Sequence, residues 1–161
     1  MKVRGLIISD THWYSTNDIP NFLFDLVKKF DFMIHAGDWA DSDAVDLFSS
    51  ITSLFAVFGN CDMHDTRRRL SDYLSFRING LNIGLSHGRY RRDSVISELN
   101  SDFNDSSLII FGHTHVPFKE EINGKSFFNP GSFSYPRNGS KKSYGILTID
   151  ENGFSLEHVS F

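Results

Sequence analysis

Five short polar clusters hold the residues of this chain that could do chemistry: Ser9-Asp10-Thr11-His12, His35-Ala36-Gly37-Asp38, Gly59-Asn60-Cys61-Asp62, Ser86-His87-Gly88 and Gly112-His113-Thr114-His115. Imidazole nitrogens, carboxylates and an amide oxygen, without a thiolate set, are the donors that a hard-to-borderline divalent cation takes. Asp10-x-His12 and His113-x-His115 put alternate side chains on one side of an extended segment, which suits chelation. Taken singly these signals are weak. An isolated Asp-x-His is ordinarily a turn, and Gly-Asp or Gly-Asn alone says almost nothing. Five clusters in equivalent positions are not explained by coincidence.

Those positions are set by the elements between them. Each cluster closes a run of apolar residues: Leu6-Ile7-Ile8, Phe32-Met33-Ile34, Leu54 to Phe58, Leu108 to Phe111, and the alternating Leu81, Ile83 and Leu85. Helical spacing separates the runs. It appears in Ile19, Phe22, Leu23, Leu26, Val27 and Phe30, with Asn17 or Asp18 as cap, and again in Ala44, Leu47, Phe48 and Ile51. A third helix follows Asp93, with Val95, Ile96, Leu99 and Phe103 on its buried side. Continuous apolar runs alternating with helices predict an α/β fold whose strands are covered on both faces. Ligands of such sheets bind beyond the carboxyl ends of the strands, where all five clusters would converge. Asn123-Gly124 and Asn152-Gly153 are hairpin signals and predict a β-rich, antiparallel C-terminal section.

The composition excludes several classes. With 161 residues, 40% apolar and 22% charged, the chain is expected to form a single domain, residues 1–161, with a core that needs no staple. Cys61 is the only cysteine, so no intramolecular disulfide can form. A formal charge of −4 gives no standing attraction to nucleic acid or to an acidic membrane. No apolar stretch reaches the length of a membrane span, and the run ending at Asp10 is too short for the core of a signal peptide. A cytoplasmic location is the simplest expectation.

From Asp10 to Asn129-Pro130-Gly131-Ser132 and Pro136-Arg137, the five-part pattern resembles the calcineurin-like metallophosphoesterases. Within them it is similar to the small bacterial and archaeal phosphodiesterases, to which the eukaryotic retromer scaffold subunit is also related. The resemblance implies a four-layer αββα sandwich with its metal site at the carboxyl ends of the strands. It implies that Asp10, His12 and His115 hold one divalent ion, that Asn60, His87 and His113 hold a second, and that Asp38 bridges both. It further implies that two ions about 3.5–4 Å apart share a hydroxide that attacks phosphorus in line, with Asn60 positioning the phosphoryl oxygens. Two divalent ions less Asp10, Asp38 and one hydroxide leave about one positive charge, suited to an anionic ester. Manganese is the first expectation for the metal, and mixed nitrogen and oxygen sites also take iron, nickel, zinc or cobalt.

One position departs from the family's pattern. Many relatives read Gly-Asn-His-Asp or Gly-Asn-His-Glu where this chain has Cys61, so the general acid that the histidine would supply is unassigned. Cys61 is expected to be a packing group, since nothing in the sequence lowers its pKa. His64 is a candidate replacement acid, and Arg89, two residues past His87, a candidate contact for substrate phosphate. Arg67 to Arg69, with Arg91 and Arg92, read as solvated charge. His35 is expected to make a structural hydrogen bond, and His158 carries no functional argument. The expected function is metal-dependent hydrolysis of a small phosphodiester. The alternatives are a phosphomonoesterase and a non-catalytic interaction scaffold of the same fold, and a homo-oligomer stays open. A nuclease would want a basic groove that this chain does not announce.

Overall fold

Side chains along the central strands alternate between two destinations. In β1 (Val3–Ile8), Ile7 joins a cluster with Ile34, Leu85, Ile110 and Phe128, while Leu6 and Ile8 meet Leu23, Val27 and Phe48 on the other face. The computed structural model describes residues 1–88 and 94–161. Among them, one sheet runs in the order β10 (Gly153–Ser160), β9 (Ser143–Asp150), β1, β2 (Phe32–His35), β3 (Ser53–Ala56). The other runs β4 (Tyr73–Ile78), β5 (Leu81–Ser86), β6 (Leu108–Ile110), β8 (Lys125–Pro130), β7 (Pro117–Ile122). Ile7, Ile34, Leu85, Ile110 and Phe128 come from both sheets and form the layer between them.

Helices cover the two outer faces. α1 (Asn21–Val27) and α2 (Ser42–Ile51) bury Leu23, Val27, Ala44, Val45 and Phe48 against the first sheet. α4 (Val95–Asp102) buries Val95 and Leu99 against Ile109 and Phe127 of the second. A two-turn helix is too short to stand alone, and buried side chains worth about 1.5–3 kcal/mol each hold α1 in place. The predicted αββα sandwich is therefore the observed architecture, two mixed sheets between few helices.

Local details differ from expectation. Asn17 and Asp18 do not cap α1; Thr16–Asp18 form a 3-10 turn capped by Ser15, and α1 starts after Pro20. Proline keeps the residue before it out of the helical region, which holds Ile19 extended at φ −73°, ψ 119°. β3 lies at a sheet edge and is only half-buried, so it is not covered on both faces. The β-rich C-terminal third is split: β7 and β8 join one sheet, β9 and β10 the other. Asn123-Gly124, at φ 52° and 78°, makes the expected two-residue turn between β7 and β8. Asn79-Gly80, at φ 46° and 88°, makes the same turn between β4 and β5, a pair the sequence reading passed over. In the last hairpin Gly153 pairs with Asp150, so Glu151-Asn152 is the loop. No helix among the described residues is long and apolar enough to cross a membrane.

Candidate metal centre

Parallel pairing brings the cluster-bearing ends to one edge. β1, β2 and β3 are mutually parallel, as are β5, β6 and β8, so their carboxyl ends open on the same side of each sheet. Cross-sheet bonds close the two edges together. The Asp10 amide and the Ala36 amide tie β1 to β2; Ser132 Oγ then donates to the Asp10 carbonyl at 2.9 Å, and the Phe133 amide to the Ser9 carbonyl at 3.0 Å. Asn129, fully buried, donates to the Gly112 carbonyl at 2.7 Å and to Thr114 Oγ1 at 3.1 Å, which fixes the turn carrying His113 and His115.

All seven sequence-predicted residues meet there. Asp10, His12, Asp38 and His115 present donor atoms that all lie within 4.8 Å of one another. His115 Nε2 is 3.1 Å from Asp10 Oδ1, and His12 Nε2 is 3.7 Å from Asp38 Oδ2. On the other side, Asn60 Oδ1 faces His113 Nδ1 at 2.9 Å and His87 Nε2 at 3.2 Å. Asp38 joins the two sets, because its Oδ2 is also 3.2 Å from His87 Nε2.

Outer hydrogen bonds aim the rings. His87 Nδ1–H donates to the Ala36 carbonyl at 2.7 Å, and His115 Nδ1–H to the Tyr135 carbonyl at 2.6 Å. Each bond leaves Nε2 pointing at the carboxylates, the orientation typical of a metal-ligating histidine. Asp10 Oδ2 is satisfied by Ser9 Oγ at 2.8 Å and the His113 amide at 3.2 Å. Asp10 Oδ1 and His12 Nε2, by contrast, are buried and, among the described residues, have no hydrogen-bond partner; His115 Nε2, beside Asp10 Oδ1, is itself an acceptor while Nδ1 carries the ring proton. A buried polar atom without a partner costs about 1–3 kcal/mol, and two aimed into one cluster of ligand atoms fit a cation. The donor set of carboxylate, imidazole and amide oxygen matches borderline divalent metals.

The electrostatics agree. Burial opposes ionisation of Asp38, but the His87 hydrogen bond and charge, the Cys61 amide and His12 hold its carboxyl well below the usual range. Burial also opposes protonation of His87, yet its bond to Asp38 and the charges of Asp10 and Asp38 push it up to about 9. Burial lowers His12 and His113, both of which stay neutral donors.

The backbone is strained at these residues. Asp10, His12, Asp38, His113 and His115 have φ of 55°, 49°, 57°, 69° and 61°, the left-handed region that non-glycine residues avoid at about 1–3 kcal/mol each. Gly59 is required for a different reason: a Cβ there would overlap the Asp38 carboxylate. Asp62, which the sequence reading left unassigned, is the buried clamp of this region. Its carboxylate accepts from the amides of Gly59 at 2.7 Å, Ala40 at 2.7 Å and Asp38 at 3.1 Å. The signal that could have found it was its place at the end of the Gly-Asn-Cys-Asp cluster.

The softer candidates separate. His64 heads α3 (His64–Arg69), is exposed, and faces Asp65 at 3.8 Å. Cys61 is not packed but exposed; its amide donates to Asp38 Oδ1 at 2.8 Å and its sulfur accepts from Asn60 Nδ2 at 3.3 Å. Desolvation first, then the Asp38 carboxylate, pushes its thiol up to about 11. Arg67 is engaged rather than solvated, donating to the carbonyls of Asp62 and Asn60 over the Phe58 ring. Arg69 pairs with Asp46 at 3.0 Å. Arg89, Arg91 and Arg92 lie outside the described residues. His35 accepts the Gly37 amide at Nδ1, meets Thr11 Oγ1 at 3.0 Å and stacks on Trp39, so burial holds it far below its usual pKa as a structural group. His158 Nε2 donates to the Asn129 carbonyl at 2.7 Å.

Known proteins resemble this chain. A probable metallophosphoesterase of Methanothermobacter thermautotrophicus is 34% identical over 165 residues, covering 95% of this chain and 90% of the relative. The Escherichia coli phosphodiesterase YfcE is 32% identical over 102 residues, 60% of this chain and 53% of its own length. The zinc complex of Vps29 from Entamoeba histolytica superposes with a TM-score of 0.72 at 22% identity, over 98% of both chains, a likeness of fold. The family model described as the calcineurin-like phosphoesterase superfamily domain matches residues 1–152, and the chain belongs to that superfamily.

Proposed function

We propose that this chain is a dimetal phosphodiesterase. In this reading Asp10, His12 and His115 hold one divalent cation, Asn60, His87 and His113 hold the other, and Asp38 is shared. The observation that carries it is the pair of buried atoms, Asp10 Oδ1 and His12 Nε2, without a hydrogen-bond partner among the described residues and inside a set of donors within 4.8 Å of one another. Bound divalent cations supply Lewis acidity toward a phosphoryl oxygen and toward water.

The chain's own groups do the rest. Asp38, kept ionised by its neighbours, holds the two halves of the site in register. The Ala36 and Tyr135 carbonyls keep the Nε2 atoms of His87 and His115 inward, so no rotamer search precedes binding. The Asn60 amide stands at the solvent-exposed mouth, where its Nδ2–H can donate to a phosphoryl oxygen once released from Cys61. Cys61 and His64 offer no positioned acid, so the reading favours esters whose leaving group departs without a proton. A low net positive charge favours a monoanionic diester over a dianionic monoester.

Metal analysis of the purified protein, with a panel of aryl diesters and monoesters, tests this. Two divalent ions per chain, loss of hydrolysis on chelation, recovery with Mn²⁺ and a higher kcat/KM for the diester are expected. Full activity after chelation overturns the metal reading; a clear monoester preference overturns the diester reading.

A further inference from the structure

Beside the metal centre, on the His12 side, the surface falls into two adjoining hollows of about 430 and 300 Å³ that share His12, Tyr14 and Tyr135. The smaller is completed by His115 and Arg137. Its volume lies at the lower end of small-molecule sites, about 300–1,000 Å³. Tyr14 and Tyr135 are large rings left 64% and 56% exposed, against the usual burial of aromatic area. Both residues are held in place by backbone hydrogen bonds. The Tyr14 amide donates to Asp18 Oδ2 at 3.0 Å within the Ser15-capped turn. The Tyr135 carbonyl accepts from His115 and its amide donates to Ser132 Oγ at 2.8 Å. The Tyr135 ring stands edge-on to the His12 ring at 5.6 Å, so it begins where the proposed metal ligands end. Arg137 has its amide on the His115 carbonyl and, among the described residues, no ion pair or hydrogen bond for its guanidinium.

Resting on the diesterase reading, we propose that Tyr14 and Tyr135 form a subsite for a planar aromatic group carried by the phosphoester, with Arg137 facing the ester's anionic end. Two tyrosine faces beside a phosphoryl site are a stacking platform: every aromatic ring offers a π-face, and no hydrogen-bond code is needed. The subsite therefore selects the ring, whether it is an aryl group attached through a short linker or a nucleobase held one ribose away. Arg137 adds charge without selecting the ring. His12 links the two functions, because one face of the hollow is a ligand of the metal centre and the other is tyrosine.

Calorimetric binding to the metal-loaded protein tests this without relying on turnover. Three hydrolytically inert or poor monoanions serve as probes: ethyl benzylphosphonate, ethyl cyclohexylmethylphosphonate and the methyl ester of adenosine 5′-monophosphate. The expected result is that one or both aromatic probes bind about 5- to 150-fold more tightly than the cyclohexyl probe, the range set by one stacked ring. The tighter of the two identifies the source of the ring. Tyr14→Ala/Tyr135→Ala should abolish that advantage while leaving the Kd of the cyclohexyl probe and the bound metal unchanged. Arg137→Gln should weaken all three probes alike. Equal binding of all three by the natural protein, or an aromatic preference that survives the double substitution, overturns the subsite. Absence of hydrolysis of the aryl diester panel by the same metal-loaded protein, with the aromatic preference intact, would instead overturn the diesterase reading and keep the subsite.

Discussion

The Asp62 carboxylate accepts the Asp38 amide at 3.1 Å, so the residue joining the two halves of the site is held from the next loop along the chain. The same carboxylate takes two further amides, from Gly59 and Ala40. Asp62→Asn replaces one acceptor oxygen with a donor that must face an N–H. The expected cost is about 1–3 kcal/mol, a fall in Tm of about 2–12 °C for a domain of this size. Metal content should fall too, although no ligand is removed. Thermal denaturation with metal analysis checks both, and an unchanged Tm with full metal refutes the clamp.

Gly59 marks the closest approach of backbone to the Asp38 side chain. Gly59→Ala has to displace that carboxylate, and a shift of about 1 Å in a catalytic group costs on the order of 100-fold in rate. The expected signature is a drop in kcat and in bound metal together. Gly139→Ala, where an added Cβ meets nothing within 4 Å, is the comparison: left-handed strain there costs stability but should leave kcat intact.

Cys61 stands exposed beside the site with its thiol pushed up to about 11. In metal-free protein, iodoacetamide labelling should be slow at neutral pH and still be accelerating above pH 9, because the thiolate is the reacting species. Cys61→Ala should change hydrolysis of a nitrophenyl diester little. Cys61→His should act selectively, raising turnover of alkyl diesters by up to about 10²–10⁴-fold, the contribution of a positioned general acid. Loss of activity on every substrate in Cys61→Ala, with metals retained, would give the thiol a role it lacks here.

His158 makes stability depend on pH from outside the site. Burial lowers its pKa, the Asn129 carbonyl partly opposes that, and the Lys119 charge adds to it. Above about pH 6.5 the ring is neutral in both folded and unfolded chains and contributes no slope. As pH falls below that value the unfolded chain takes the proton first, so stability is lost toward acid. His158→Gln keeps a donor for Asn129 and should flatten the stability–pH curve below pH 6.5. The difference in slope should be less than the about 1.4 kcal/mol per pH unit that one proton allows. Chemical denaturation of both proteins between pH 5 and pH 8 provides the reading, and parallel curves contradict it.

The seven residues of the candidate site were legible because each follows apolar residues of a strand, continuous in β1, β2 and β6 and alternating in β5. Asp62 was not, because an aspartate in a loop is ordinarily solvated, and its place at the end of the Gly-Asn-Cys-Asp cluster does not by itself say that three amides turn toward it. β4 escaped because Ser75 and Arg77 alternate with half-buried Leu74 and Phe76, a pattern too polar for a run. The start of α1 was misplaced because apolar spacing extends through Ile19 while Pro20 forbids the helix there. Cys61 shows the limit on chemistry: its neighbour Asp62 turns inward and it turns out, a choice made by the hydrogen bonds of the loop and invisible in residue type. Tyr14 and Tyr135 lie far apart in sequence, and only the Ser132 and His115 contacts bring the second ring to the first.

The seam between the sheets has a consequence for how the protein acquires its site. Asp10, His12, Asp38 and Asn60 follow strands of one sheet, His87, His113 and His115 follow strands of the other, and each half alone is an incomplete chelator. On the proposed dimetal reading, metal affinity is thus a reporter of sheet docking. An intermediate with one finished sheet gains little from metal, whereas the docked sandwich gains stability as free metal rises above its Kd. Added metal should then slow unfolding far more than it speeds refolding, acting as a rivet set after the plates have met rather than as a template that draws them together.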